Sequence, residues 1–190
     1  MPFTFRRMDI ADVCLVTPEI FPDSRGFFAE IFKGSDFQAG GIPMAIAQIN
    51  HSRSGKNVLR GLHYQLNPAA QAKLVSVMRG EIFDVAVDIR QGSPTYGRWV
   101  SAMLSEKNRH ALYIPEGFAH GFCVMSDVAE IIYYCSREYA PAQERNILWN
   151  DPAINIAWPV KEVVLSGKDL TGKCLAEADN NFVYKGEAVP

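Results

Sequence analysis

The sequence predicts a mainly β protein, a sandwich or barrel of the jelly-roll kind with a few short helices. Three observations point there. Short runs of alternating apolar and polar residues recur along the chain, as half-buried strands require. Gly and Pro clusters separate them, at Gly40-Gly41-Ile42-Pro43, Gly92-Ser93-Pro94 and Pro115-Glu116-Gly117. Helix is confined to a turn or two at 35–39 and to the C-terminal part.

The elements follow in chain order. Strands are expected at 13–17, 26–32, 45–51 and 58–65. Val75 and Val77, then Phe83, Val85, Val87 and Ile89, alternate with more polar neighbours, and Arg79-Gly80 between the two runs reads as a tight hairpin turn. Further strands are expected at 97–104, 110–114, 120–125 and 129–136. Residues 176–190 (AEADNNFVYKGEAVP) are polar and read as loosely attached. There is no internal repeat, low-complexity run or linker, so one domain is expected over 1–190.

Composition narrows the function classes. The 190 residues match one domain of about 150. A 48% hydrophobic content with a net charge of −2 excludes a disordered chain. Nineteen basic against 21 acidic residues leave no cationic excess for generic nucleic-acid binding. The longest stretch free of Asp, Glu, Lys and Arg, 37–52, contains two Gly, a Pro, two Gln and an Asn, which excludes a membrane-spanning helix there. The start, MPFTFRRMDIAD, has no apolar signal core, so a cytoplasmic address is expected, with no membrane partner. Cys14, Cys123, Cys135 and Cys174 form no CxxC pattern and read as small buried hydrophobes.

Three segments carry polar and aromatic side chains inside strand-like patterns: Gln48-Ile49-Asn50-His51 with Arg60-Gly61-Leu62-His63-Tyr64-Gln65; Pro115 to Phe122; and Tyr133-Tyr134 with Tyr139-Ala140-Pro141 and Glu144. Residues two apart on a strand share a face, so Gln48 and Asn50 point one way, as do His63 and Gln65. A barrel lined by His, Gln, Asn and Tyr is a pocket for a polar ligand. Lys73 continues the face of Val75 and Val77, and an inward lysine needs a reason. His63 is a candidate base, since imidazole titrates near neutral pH.

These stretches resemble the dTDP-4-dehydrorhamnose 3,5-epimerase family. The resemblance rests on PDSRGFFAE (22–30), QINHS (48–52), RGLHYQ (60–65), QAKLVSVMRGEIFDVAVDIR (71–90), YIPEGFAHGF (113–122), YYCSREYAP (133–141), NDP (150–152) and LSGKD (165–169). It implies a cupin-type jelly roll that inverts carbons 3 and 5 of a nucleotide-linked 4-keto-6-deoxyhexose. It implies no cofactor and a homodimer, with the segment holding Arg25 and Glu30 reaching the partner's pocket. Both carbons are alpha to a ketone, so a base must remove each proton and an acid must return one from the opposite face. Positive groups must sit near O4, where charge develops. The resemblance makes His63 the base, Asp169 its orienting partner and Tyr133 the acid. Arg60, Lys73 and His120 become the electropositive groups. Arg25, Glu30, Gln48, Asn50, Glu144 and Lys168 match positions that hold the nucleotide sugar, and Tyr139 and Phe27 are candidates to stack on its base or ribose.

Some features pull the other way. Ser166-Gly167-Lys168-Asp169 also reads as a helix capping box variant. Arg60 and His63 are three apart, so both line one pocket only if the strand is bulged or bent, which Gly61 would permit. Asn146 stands where Gly is common and tolerates left-handed backbone; Ile49 replaces a small polar residue and is expected to face away from the pocket. Three other readings compete: a metal cupin, weakened because Gln65 stands where a second histidine is needed; a non-catalytic sugar-binding cupin; and an epimerase that inverts only one of the two carbons. No metal site is expected.

Overall fold

The computed structural model describes residues 2–186. A six-stranded sheet runs in the order β1 (Phe3–Arg7), β2 (Cys14–Pro18), β10 (Ala111–Ile114), β7 (Lys73–Arg79), β12 (Val128–Cys135), β5 (Gln48–Gly55). A five-stranded sheet runs β13 (Glu144–Asn146), β6 (Leu59–Gln65), β11 (Phe118–Val124), β8 (Glu81–Asp88), β9 (Trp99–Ser105). β3 (Phe21–Asp23) and β4 (Gly26–Phe28) form a separate hairpin. Every strand pairing is antiparallel, as the mainly β jelly roll requires.

The interior core lies between the sheets. Val75, Val77, Leu112 and Ile131 of the first meet Ile82, Ala86, Leu104, Phe118 and Phe122 of the second. Both outer faces are covered as well. The helix α1 (Gly34–Ala39) lays Phe37 over the first sheet, against Phe3, Val16, Leu74 and Tyr134. Residues 147–182 lay Ile147, Ile154, Leu175 and Phe182 over the second, against Leu62, Tyr64, Val85 and Val87. Each such side chain contributes about 1.5–3 kcal/mol by leaving water. The stripe Phe83, Val85, Val87 and Ile89 therefore faces outward, under this C-terminal cover. The inward row of β8 is Ile82, Asp84, Ala86 and Asp88.

Several expectations are corrected. Arg79-Gly80 is not a hairpin turn: β7 pairs with β10 and β12, whereas β8 pairs with β11 and β9, so the chain crosses here between sheets. A bulge at Met78, where Arg79 pairs with Glu130 but Val77 with Ile131, bends β7 out of its ladder. Gly80 turns the corner at φ +77°, where a Cβ would sit 2.0 Å from the Val128 carbonyl oxygen. The strand expected at 45–51 begins at Gln48, because Ile42 and Met44 pack on the outer face of the first sheet instead of joining a ladder. β1, β3 and β13 were not anticipated. The C-terminal residues are docked rather than loose: Phe182 is buried, Gln91 N donates to Phe182 O at 2.9 Å and Tyr184 N to Gln91 O at 2.9 Å. Residues 187–190 of that stretch lie outside the described residues. Cys14, Cys123 and Cys135 are buried free thiols, while Cys174 is half-buried. No helix among the described residues is long and apolar enough to cross a membrane.

Candidate active site

A bulge on β6 assembles the site. His63 pairs with His120 across β6 and β11, and Arg60 pairs with Phe122, so Gly61 and Leu62 together oppose Gly121. The extra residue restores one face to both Arg60 and His63, which line a single cavity of about 220 Å³. Gly61 makes this possible. Its φ is +132°, and a Cβ there would lie 2.5 Å from Gly121 Cα and 2.9 Å from the His120 carbonyl oxygen.

His63 Nε2 lies 2.7 Å from Asp169 Oδ1. Asp169 sits on the one-turn helix α2 (Gly167–Leu170) and is buried. Its Oδ2 accepts from Ser166 Oγ at 2.6 Å, and its Oδ1 also accepts from Gly61 N at 3.3 Å. Ser166 Oγ in turn accepts from Asp169 N at 3.2 Å. Ser166 thus caps α2, and the same Asp169 carboxylate that it holds also bonds His63. Burial raises the Asp169 pKa, but the His63 and Ser166 hydrogen bonds outweigh it and hold the carboxyl at about 2. Burial pushes the His63 imidazolium the other way, below its ordinary value, with the Asp169 hydrogen bond opposing and Lys73 assisting. The resting group is a neutral imidazole whose Nε2–H donates to a carboxylate, leaving the Nδ1 lone pair free.

Tyr133 faces it from β12 of the other sheet. Its ring packs edge-on against His120, with centroids 6.1 Å apart, and 6.4 Å from Phe122. Its hydroxyl lies 3.2 Å from Ser52 Oγ. Burial pushes the phenol well above its ordinary value, opposed by the Ser52 hydroxyl and the Arg60 guanidinium. The phenol is therefore protonated at neutral pH.

Three basic side chains share the cavity: Arg60, Lys73 and His120. Arg60 Nε and Nη2 donate to Ser54 Oγ at 3.1 and 3.0 Å. Burial pushes the Lys73 ammonium pKa down, and Asp84 is among the groups that hold it up. His120 Nε2 lies 2.7 Å from Asp84 Oδ1. Sequence reasoning missed Asp84, which is fully buried and whose Oδ2 has no hydrogen-bond partner among the described residues. The sequence carried no signal for it, because the alternating stripe Phe83, Val85 and Val87 makes Asp84 read as solvent-facing.

Polar residues close the cavity mouth. Tyr139, 52% exposed, donates from its hydroxyl to Glu144 Oε2 at 2.7 Å, and Lys168 Nζ reaches Glu144 Oε1. Burial disfavours the Glu144 carboxylate, but Lys168 and Tyr139 outweigh it and hold the pKa below the ordinary value. Gln48 Oε1 accepts from Tyr139 N at 2.7 Å, and its Nε2 donates to Asn50 Oδ1 at 2.7 Å, so the two do share a face. Gln65 braces the same loop, accepting from Ala140 N at 2.8 Å and donating to Ala69 O at 2.8 Å. Ile49 is exposed and lines nothing in the cavity. Asn146 is not in the left-handed region that its Gly-like position suggested; its Nδ2 donates to Lys168 O at 2.8 Å and steadies α2.

Arg25 and Glu30 stand apart. Arg25 is exposed on the β3–β4 hairpin, paired with Asp23 at 2.6 Å, and neither residue lines the cavity of its own chain. Phe27 lies on the same hairpin, under the Arg109 guanidinium at 4.4 Å. Among the described residues no three His, Cys, Asp or Glu side chains converge as metal ligands.

The chain is similar to known proteins over most of its length. The family model described as dTDP-4-dehydrorhamnose 3,5-epimerase matches residues 7–177. A dTDP-4-dehydrorhamnose 3,5-epimerase of Shigella flexneri is 53% identical over 174 residues, 91% of this chain and 96% of that protein. The crystal structure of a dTDP-6-deoxy-D-glucose-3,5-epimerase from Legionella pneumophila, in complex with dTDP-4-keto-L-rhamnose, superposes with a TM-score of 0.90 at 46% identity, covering 93% of this chain and 95% of that one. A 3'-monoepimerase from Streptomyces bikiniensis, in complex with dTDP-quinovose, superposes with a TM-score of 0.85 at 38% identity, covering 90% and 87%.

Proposed function

Because the chain belongs to the dTDP-4-dehydrorhamnose 3,5-epimerase family, its activity is that epimerisation, and we propose that His63, Tyr133 and Asp169 carry it out. The observation that supports the assignment most is the pairing of a carboxylate-oriented neutral imidazole with a protonated phenol on facing sheets of one cavity. His63 Nδ1 takes the proton from the carbon alpha to the C4 ketone, and Asp169 stabilises the imidazolium formed. Negative charge moves to O4, where Arg60, Lys73 and His120 offer positive groups and N–H donors. Tyr133 returns a proton to the opposite face, which inverts the carbon. The same pair serves carbons 3 and 5 in turn.

The enzyme takes a dTDP-linked sugar. In this reading Tyr139 stacks on its base or ribose at the cavity mouth, with Gln48, Asn50, Glu144 and Lys168 as polar contacts. Arg25 suits the diphosphate, since its planar fork grips phosphate oxygens. Glu30 suits hydrogen-bond donors of the base or sugar. Because both lie outside their own chain's cavity, they would reach a second copy: the hairpin exchanges between two chains of a homodimer. The exposed Phe21, Phe27 and Phe28 on that hairpin support the exchange, because a partner would cover them.

The test is NMR of dTDP-4-keto-6-deoxyglucose in heavy water, read separately at carbons 3 and 5. His63→Ala is expected to stop deuterium incorporation at both. Tyr133→Phe is expected to keep incorporation while forming little inverted product, most clearly at carbon 5. Near-normal exchange in His63→Ala, or wild-type inversion in Tyr133→Phe, would refute the assignment.

A further inference from the structure

Gln48, Asn50, Ser52 and Ser54 share one face of β5; Asn50 and Ser52 line the cavity, and each of the four bonds a residue of its wall. Gln48 accepts from Tyr139 N, and Asn50 Nδ2 reaches Cys135 Sγ at 3.7 Å. Ser52 Oγ lies 3.2 Å from the Tyr133 hydroxyl, and Ser54 Oγ accepts both bonds from Arg60. The strand is thus a row of brackets for residues on β12, β6 and the loop after β12.

We propose that Ser52 is a positioning residue for Tyr133: its hydroxyl holds the phenol in place and then donates to the phenolate left after proton transfer. The inference rests on the reading of Tyr133 as the acid. Phe122 and His120 fix the plane of the Tyr133 ring, but their contacts are with the ring and do not aim its oxygen. Ser52 is the hydrogen-bond partner of that oxygen among the described residues. The register explains the reach. Tyr133 pairs with Asn50 and Ile131 with Ser52, so Ser52 and Tyr133 are diagonal neighbours, within range of a long aromatic side chain.

The chemistry calls for a hydroxyl. In the reprotonation step the enolate pair forms a C–H bond with the Tyr133 proton and the C4 carbonyl returns. The O–H bond breaks, and its electron pair stays on the tyrosine oxygen until water restores the proton. Before the step the serine can accept from the phenol; afterwards, by turning about its Cβ–Oγ bond, it donates to the anion. Tyr133 is half-buried, the desolvation of its hydroxyl disfavours the phenolate, and the Ser52 hydroxyl is the leading group working the other way. Lys73, which lines the same cavity, is not among the leading groups there.

The experiment repeats the heavy-water NMR with Ser52→Ala, Ser52→Val, Ser52→Thr and Ser54→Ala, beside Tyr133→Phe. Ser52→Ala and Ser52→Val are expected to keep deuterium exchange near the wild-type rate while inversion falls about 10- to 100-fold. Ser52→Thr, which keeps the hydroxyl, restores the ratio of inversion to exchange. Ser54→Ala releases Arg60, so it raises KM and leaves that ratio unchanged. If the two hydroxyl-free variants keep the wild-type ratio, or lose exchange and inversion equally, while Tyr133→Phe separates them, the role of Ser52 is refuted and the acid stands. If Tyr133→Phe itself inverts at the wild-type rate, the acid assignment fails first.

Discussion

The Asp169 carboxylate accepts from His63, Ser166 and Gly61, and its pKa of about 2 keeps it ionised throughout the working range. In the proposed mechanism its service to His63 is twofold: it fixes the tautomer, and it favours the imidazolium that forms during proton removal. Asp169→Asn keeps the size and loses the charge. The expected result is a kcat about 10- to 100-fold lower with KM little changed. The pH profile gives the sharper test. Burial already sets the His63 pKa below its ordinary value, and Asp169 is the main group raising it. Removing that charge lowers the pKa further, so the acid limb of kcat/KM moves to lower pH; movement to higher pH would contradict the assignment. At this scale the sequence was informative wherever chemistry interrupted an apolar pattern, as at His63, Lys73 and Tyr133. Asp84 and Ser52 were hidden, because a polar residue in an alternating strand reads as its solvent side. On β8 the apolar stripe faces the outer cover and the polar row faces inward, so the usual reading is reversed.

Among the elements, the β6 bulge and the β3–β4 hairpin carry the most weight in the proposed function. A distortion of β6 was legible as a requirement, since Arg60 and His63 share a pocket only on a bulged or bent strand, and Gly61 marked its place. The sheet membership of β7 and β8 was not legible. A glycine with positive φ closes a hairpin and turns a corner between sheets equally well, and only the Met78 bulge and the Ser126–Val128 backbone decide between them. The hairpin supports a prediction of its own. Light scattering at micromolar concentration is expected to give twice the chain mass of 21.2 kDa. Phe28→Asp, which puts a charge on the aromatic face, is expected to yield the single-chain mass together with a raised KM. A single-chain mass for the fully active wild type would refute the exchange.

Across the whole molecule, the two sheets enclose one core while α1 and the C-terminal part each seal an outer face. Arg90 ties three regions together. It binds Asp88 at the end of β8 and forks onto Asp12 near the N-terminus, with Nη1–Oδ1 at 2.9 Å and Nη2–Oδ2 at 3.0 Å. Its guanidinium also lies over the rings of Phe118 and Tyr184. Asp88 is saturated besides by Ser93 and Thr95, each at 2.6 Å. The jelly roll itself was readable from strand spacing. The C-terminal cover was not, because its anchors Ile154, Leu175 and Phe182 are scattered singly among polar residues and match neither strand nor helix period.

That cover supplies Asp169, yet it meets the barrel backbone through single bridges such as Val58 with Val164 and Gln91 with Val183, rather than through a long ladder. Segments attached in this way open at lower free energy than the sheets beneath them. The histidine and its carboxylate can therefore part company while the barrel still stands. Under rising urea, turnover is expected to vanish at a lower concentration than the far-ultraviolet β signal, and coincident midpoints would exclude this order of events. Catalysis in this chain is then a gauge of whether the last fifth of the polypeptide is in place, and a damaged or half-made molecule falls silent before it falls apart.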